Sequence, residues 1–383
     1  MKIRTITTGI SLKSPNEEGK IKQIADFNQK AKTIFEEAGY EVQTTRIATN
    51  SWEEYLKDLS DEEILSAIQK IEQICKSLDI SFFNIGYAVT PDKIKLIPEI
   101  NKTTSQISCS AKIGDKESGI NFENAKISAE VIKRISEETK NGYGNFRFCA
   151  SANCKSGIPF FPTGFYEGEQ PAFGIGLECG DLAVKAFSKS NNLIDAKDNL
   201  KSIFEEELQK VENIAKQISE KFNIKYNGID ASLNPGLNED ESIGFAYEKL
   251  GFGNFGSQGT LTISGLITSV LKNLSINLCG YSGLMLPVCE DLGLATRANE
   301  GTYNITNLLL YSAVCGCGLD VVPIPGNTSA EKIEATLLDV ATLAIKLDKP
   351  LSARLLVVPG KKAGEMTSFN SPYLVDCKIL AIN

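Results

Sequence analysis

Val314-Cys315-Gly316-Cys317-Gly318-Leu319-Asp320 runs directly into Val321-Val322-Pro323-Ile324-Pro325-Gly326. A helical apolar pattern over 303–315 stops here. Two glycines break it, and a run with the make-up of a buried strand follows over 319–324. Residues 328–347 again have helical periodicity, closed off by Pro350, and Leu351 to Val358 reads as the next strand. Helix, strand, helix, strand in that order is the pattern of an α/β protein with parallel strands. The break also carries two thiols and a carboxylate, at the kind of strand end where such folds gather their working groups.

The same alternation extends upstream. Strands are expected at 3–9, 41–49, 80–87, 105–112, 145–150, 172–177, 226–232 and 282–288, with a closing strand at 374–382. Helices are expected at 18–38, 52–78, 123–139, 181–189, 200–221, 240–250 and 260–273. Ile21, Ile24, Ala25, Phe27, Ala31, Ile34 and Phe35 set the first helical period, and Gly39 closes it. The run from Ile80 to Tyr87 is nearly all apolar, as in a strand covered on both faces. Residues 151–171 read as a loop crowded with Phe160, Phe161, Phe165 and Tyr166. It is a lid, a pocket wall or a dimer contact, or simply a packed loop. No linker divides the chain, so a single α/β domain over 1–383 is expected, as a barrel or a wound sheet.

Composition narrows the function. The chain has 383 residues and a net charge of −8, which argues against nucleic acid as a partner. No apolar run approaches the roughly 20 residues of a membrane helix, so no membrane partner is expected. The first residues read as a strand rather than an export signal, and the ten cysteines lack disulfide-framework spacing. A cytoplasmic protein with reduced thiols is the expectation. The chain contains no histidine. Ser-His-Asp and Cys-His catalysis, histidine-ligated zinc and haem on a proximal histidine are all excluded. Acid–base chemistry must come from Asp, Glu, Cys, Lys or Tyr.

Several motifs are candidates, each with a structural competitor. Gly251-Phe252-Gly253-Asn254-Phe255-Gly256 spells GxGxxG, but it follows a helix, so the dinucleotide-binding context is missing. A tight helix–helix connection explains it, with Ser257 as a cap for the next helix. Anion binding at Gly256, Ser257, Gln258, Gly259 and Thr260 is the weaker alternative. Glu169, Asp230, Glu290, Asp291 and Asp320 lie at expected strand ends or in loops. They can hold Mg²⁺ or Ca²⁺, act as acid and base, or cap helices. Asp230 and Asp320 stand inside apolar strand patterns, where an acid must be paired or functional. Cys315 and Cys317 are a nucleophile, a redox pair, soft metal ligands or buried thiols.

Taken together the chain resembles uncharacterised protein family 0210, the domain of unknown function 711. The resemblance covers nearly the whole chain. It rests on Ile3-Arg4-Thr5-Ile6-Thr7-Thr8-Gly9-Ile10-Ser11-Leu12, Ser118-Gly119-Ile120-Asn121, Asp230-Ala231-Ser232-Leu233, Gly256-Ser257-Gln258-Gly259-Thr260, Leu286-Pro287-Val288-Cys289-Glu290-Asp291 and Cys315-Gly316-Cys317-Gly318-Leu319-Asp320. It implies a ten-stranded α/β barrel of the pyruvate formate-lyase and ribonucleotide reductase type, built from two antiparallel halves of five parallel strands. It implies no reaction. The tail Ser371-Pro372-Tyr373-Leu374-Val375-Asp376-Cys377 lacks a radical-glycine motif, so glycyl radical chemistry is not expected. Family members tend to carry histidine in the position of Gln258 and near Tyr166, and this chain has neither.

The expectation is therefore an enzyme or former enzyme that binds a small anionic metabolite. Cys315, Asp230 and Asp320 are the catalytic candidates. Residues 256–260 with Glu169 and Tyr166 are the ligand-binding candidates, and Glu290 and Asp291 the candidates for a Mg²⁺ or Ca²⁺ ion. The alternative is a non-catalytic metabolite-binding or interaction protein. A homodimer is expected on base rates.

Overall fold

The computed structural model describes residues 1–382. The strands are β1 Lys2–Ile10, β2 Thr45–Thr49, β3 Phe82–Ala88, β4 Ile107–Asp115, β5 Gly119–Ile120, β6 Phe148–Ala152, β7 Ala172–Glu178, β8 Lys225–Asp230, β9 Gly318–Pro325 and β10 Leu351–Val358. The helices are α1 Glu18–Glu37, α2 Trp52–Tyr55, α3 Asp61–Ser77, α4 Pro91–Thr103, α5 Phe122–Glu138, α6 Gly180–Phe187, α7 Leu193–Phe222, α8 Ile243–Glu248, α9 Thr260–Lys272, α10 Leu292–Glu300, α11 Ile305–Ser312 and α12 Ala330–Lys346.

The α/β alternation read from the sequence is present, with local differences. Helices α4 and α10 were not anticipated. Pro91 starts α4 at a position where a missing N–H costs nothing, and Pro98 sits inside it, which masks it in a propensity reading. Residues 374–382 form no strand; they make one antiparallel bridge, Met366 with Lys378. Residues 282–288 form no ladder either. They touch their neighbours through single parallel bridges, Leu233 with Leu284 and Pro287 with Asp320.

The strands build one mixed sheet in the order β8-β7-β1-β2-β3-β4-β6-β10-β9, with β5 paired to β4 off this path. Strands β1, β2, β3, β4 and β6 are mutually parallel. Strand β7 joins β1 antiparallel, and β10 joins β6 antiparallel. The outer pairs β7–β8 and β9–β10 are parallel within themselves. Ten strands are present, but the ladder is open between β8 and β9. The implied second half of five has only four ladder strands, with segment 278–288 in the place of a fifth.

Side chains alternate along each strand, so the sheet has two chemically different faces. Ile6, Ile47, Phe83, Ile85, Cys109, Ala111, Ile175 and Leu355 belong to the main buried apolar cluster, together with the apolar stripes of α1, α3, α4, α5, α7 and α12. Alternate positions carry Thr7, Arg46, Asn84, Ser108, Ser110, Cys149, Ser151, Ser352 and Arg354, polar and mostly buried. A sheet that needed both faces only for stability would be apolar on both. The second face therefore carries polar groups that stability alone does not require.

The loop 153–171 lies across that polar face. Thr7 Oγ1 donates to Pro159 O at 2.8 Å, and Asn84 Nδ2 to Pro162 O at 2.6 Å. Two glycines let its aromatic rings settle on the strands. A Cβ at Gly9 would fall 2.2 Å from the Tyr166 ring, and one at Gly176 would fall 3.0 Å from Phe160.

Candidate functional site

Beside the loop the polar face encloses a cavity of about 530 Å³. This is within the range of small-molecule sites. Lys2, Arg4, Arg46, Arg147 and Arg354 line it with Glu41, Glu178, Glu241, Glu290 and Asp320, five basic groups against five acidic ones. Phe82, Phe146, Phe160, Phe161 and Tyr373 add an aromatic wall.

Most of these charges form one chain of ion pairs. Glu241 pairs with Lys2 at 2.6 Å, and Lys2 with Glu178 at 2.9 Å. Glu178 pairs with Arg4 at 2.9 Å, and Arg4 with Glu290 at 3.1 Å. Arg354 then joins Glu290 at 3.0 Å to Asp320 at 2.7 Å. Burial works against the charge on Arg354, but Asp320 and Glu290 hold its guanidinium above the usual range. Each acid in this chain has both oxygens engaged except Asp320. Its Oδ1 takes Arg354 Nε, and among the described residues Oδ2 receives no donor.

Arg46 stands outside this chain. Its Nε donates to Thr44 Oγ1 at 3.0 Å, and among the described residues no carboxylate lies within ion-pair distance and no acceptor meets either Nη. The residue is 8% exposed. Its guanidinium lies 5.4 Å from the ring centres of both Phe82 and Phe161. Burial, and then the nearby charge of Arg4, push it down to about 9, so it remains cationic at neutral pH. A buried cation with two free donor groups is costly unless an anion completes it. Arg147 differs, because its Nη atoms already donate to Ile107 O, Asn101 O, Asn101 Oδ1 and Thr104 Oγ1.

The cavity also has a hydroxyl and thiol wall. Tyr281 Oη donates to Thr163 Oγ1 at 2.9 Å and meets Ser352 Oγ at 3.0 Å. Cys149 Sγ lies 3.3 Å from Thr163 Oγ1, and burial pushes its thiol up to about 12. Burial likewise raises Tyr281 well above its ordinary value. Cys317 shares this wall. These groups are protonated at neutral pH and act there as hydrogen-bond donors and acceptors.

The candidates from the sequence separate into two sets. Asp320, Glu290 and Cys317 line the cavity. The rest do not. Asp230 is fully buried and accepts from Ser232 Oγ, Ser232 N, Tyr281 N and Ser282 N. It ties β8 to the turn that carries Tyr281. Burial raises its carboxyl, against those four donors. Asp291 is also fully buried. It caps α10 through Leu294 N and takes Ser242 Oγ, Ile243 N and Gly244 N at the start of α8.

Glu290 and Asp291 thus point to different sites, as neighbours on an extended chain do. Among the described residues no group of three or more His, Cys, Asp or Glu side chains is gathered as a metal would need. Gly256, Ser257, Gln258, Gly259 and Thr260 lie off the cavity. Gly259, with φ 98°, rather than Ser257, is the N-cap of α9. Thr260 Oγ1 accepts from Gly256 N at 3.0 Å, so the loop closes on itself. Glu169 is exposed. Tyr166 packs on Gly9 and donates to Gln170 O.

Cys315 is fully buried behind the cavity wall. Its sulfur accepts from Gly318 N at 3.2 Å, and Lys349 Nζ is hydrogen-bonded to its carbonyl. Its thiol is lowered to about 6 by a hydrogen bond from Cys317, with Lys349 and the Gly318 amide assisting against burial. Cys317 is correspondingly raised.

Sequence reasoning did not select Arg46, Arg4 or Arg354. The signal was there: Thr45-Arg46-Ile47-Ala48 and Ala353-Arg354-Leu355-Leu356 set a charge inside a strand pattern, as Asp320 does.

Over residues 1–370 the chain matches the family model described as uncharacterised ACR (DUF711). It is 27% identical over 395 residues to the UPF0210 protein of Actinobacillus pleuropneumoniae serotype 5b (strain L20), covering 96% of this chain and 87% of that protein. The UPF0210 protein of Syntrophobacter fumaroxidans (strain DSM 10017 / MPOB) is 26% identical over 415 residues, covering 100% and 90%. That of Ligilactobacillus salivarius (strain UCC118) is 27% identical over 411 residues, covering 100% and 91%.

Proposed function

We propose, for a chain that belongs to the uncharacterised DUF711 (UPF0210) family, a role in binding a small anionic metabolite inside a barrel. Arg46 is the anchor. One observation carries this reading: a buried guanidinium with both Nη groups unmet, within 5.4 Å of the Phe82 and Phe161 ring centres and facing a cavity. The two rings give the guanidinium cation–π contacts, and its free Nη pair can give a carboxylate two parallel hydrogen bonds.

The bridges of segment 278–288 to β8 on one side and β9 on the other support closure into a ten-stranded barrel. The pyruvate formate-lyase type of barrel is the architecture this closure would produce. Its interior would be the polar face, with loop 153–171 entering it.

Binding without turnover is the reading the groups favour. The thiols on the cavity wall are held protonated, and the thiol poised for ionisation, Cys315, is walled off. The enzymatic reading keeps one supporting observation, the contact of cavity-facing Cys317 with Cys315. In that case Cys317 is the reacting group and Cys315 its partner. Asp320 joins the ligand contacts in either case, and Asp230 supports Tyr281 from behind.

The test is a thermal-shift and calorimetric screen of small carboxylates and phosphates against the wild-type chain and Arg46→Gln. Binding that disappears in Arg46→Gln supports the proposal. Ligands that bind equally well to both proteins overturn it.

A further inference from the structure

We infer that the cavity selects a zwitterion, an amino acid whose carboxylate sits on Arg46 and whose ammonium sits on Asp320. This rests on the anion-binding reading above and narrows its ligand class.

Three observations carry it. The first is the free acceptor. Of the acids in the ion-pair chain, Glu241 gives its oxygens to Lys2 and Asn238, Glu178 to Lys2, Arg4 and Gln43, and Glu290 to Arg354 and Arg4. Asp320 alone keeps an oxygen without a donor among the described residues, and its side chain is 18% exposed toward the cavity. A charged acceptor left open in a buried wall is satisfied best by a donor that carries positive charge.

The second is the matching free donor. The two Nη groups of Arg46 have no protein acceptor. Glu41, the other lining acid without a donor among the described residues, is exposed to solvent. The open donor pair of Arg46 and the open oxygen of Asp320 ask for a ligand with one anionic and one cationic end.

The third is charge balance. The basic and acidic groups lining the cavity are equal in number, five against five. A ligand with a net charge of two, such as a phosphate ester, would enter a site with no matching surplus and lose its hydration. A zwitterion enters without changing the balance. The aromatic wall of Phe82, Phe146, Phe161 and Tyr373, with about 530 Å³ of space, suits the apolar part of such a ligand, a side chain or a methylene spacer.

Isothermal titration with α- and ω-amino acids tests the inference. Each is compared with its des-amino acid, its decarboxylated amine and inorganic phosphate. The expected result is at least one amino acid that binds about tenfold or more tighter than both of its truncated analogues, the factor that roughly 1.4 kcal/mol represents. Arg46→Gln abolishes that binding. Asp320→Asn keeps an oxygen for Arg354 but turns an amide N–H toward the ammonium, so it removes the preference over the des-amino acid. Asp320→Glu restores part of it, which separates lost recognition from lost folding.

If des-amino acids bind as well as amino acids and Asp320→Asn changes nothing, the zwitterion inference is overturned while anion binding stands. Tighter binding of phosphate than of any amino acid has the same meaning. If no acid binds and Arg46→Gln is silent, both readings fall.

Discussion

Arg354 Nη2 lies 3.0 Å from Glu290 Oε1, with side chains only 9% and 7% exposed. Arg354 Nε also holds Asp320, so one guanidinium keeps two cavity acids in place. Removing it leaves Asp320 without an ion pair and Glu290 with Arg4 alone. We expect Arg354→Met to lose about 3–5 kcal/mol of unfolding free energy in urea titration, the range for breaking one side of a buried pair. A loss under about 1 kcal/mol would show that water screens the pair.

Arg46 has the opposite character. Its charge is buried without a partner, so the empty protein carries the cost. Arg46→Met should raise the unfolding free energy of the ligand-free protein by about 1–2 kcal/mol, a typical gain when a functional residue is traded for stability. The same change should abolish ligand binding. A destabilised Arg46→Met protein would mean that the guanidinium is satisfied within the fold.

Asp291 should behave as a structural group. Four donors from two helices converge on its carboxylate. Asp291→Ala orphans them in a dry environment, with an expected loss of about 3–5 kcal/mol from charge-assisted hydrogen bonds and caps. Adding Mg²⁺ or Ca²⁺ should not change the melting temperature of the wild type through this residue. A metal-dependent shift that vanishes in Asp291→Ala would refute the capping role.

The Cys315 thiol sets a pH dependence. Its ordinary value of 9.0 falls to about 6 in the fold. A depressed acid stabilises the fold fully above its unfolded value. That contribution is lost as pH falls through the folded value. Wild-type stability should therefore rise between pH 6 and 9 relative to Cys315→Ser. An ultraviolet thiolate step near pH 6, absent from Cys315→Ser, should accompany it. Parallel pH profiles for the two proteins would sink this assignment.

Cys289 and Cys377 are free thiols with sulfur atoms 3.7 Å apart, both buried. Val375 N also bonds Cys289 O at 2.7 Å, so the C-terminal segment with Tyr373 is docked beside Glu290. Diamide treatment should give a Cys289–Cys377 link in peptide mapping, absent in Cys377→Ser. Another cysteine pair appearing first would contradict this docking.

The sequence by itself determined the alternation of helices and strands, because apolar periods of 3.6 and 2 residues are local properties. It also showed that Asp320 is a charge inside a strand, and by lacking histidine it removed whole classes of chemistry. It did not reveal α4, whose internal proline hides the helix, nor that 374–382 docks without forming a strand.

What Asp320 does differently from Asp230 and Asp291 was decided only in three dimensions. Asp230 ends β8, Asp291 caps α10, and Asp320 stands inside β9. Ser242 closes off Asp291 and Tyr281 closes off Asp230, from about fifty positions away in each case. Arg354 leaves one oxygen of Asp320 open. Arg46 likewise looks like any strand arginine until the fold brings the Phe82 and Phe161 rings to its guanidinium and no carboxylate within ion-pair distance among the described residues. Pairing and burial depend on partners distant in the chain, and local pattern carries no record of them.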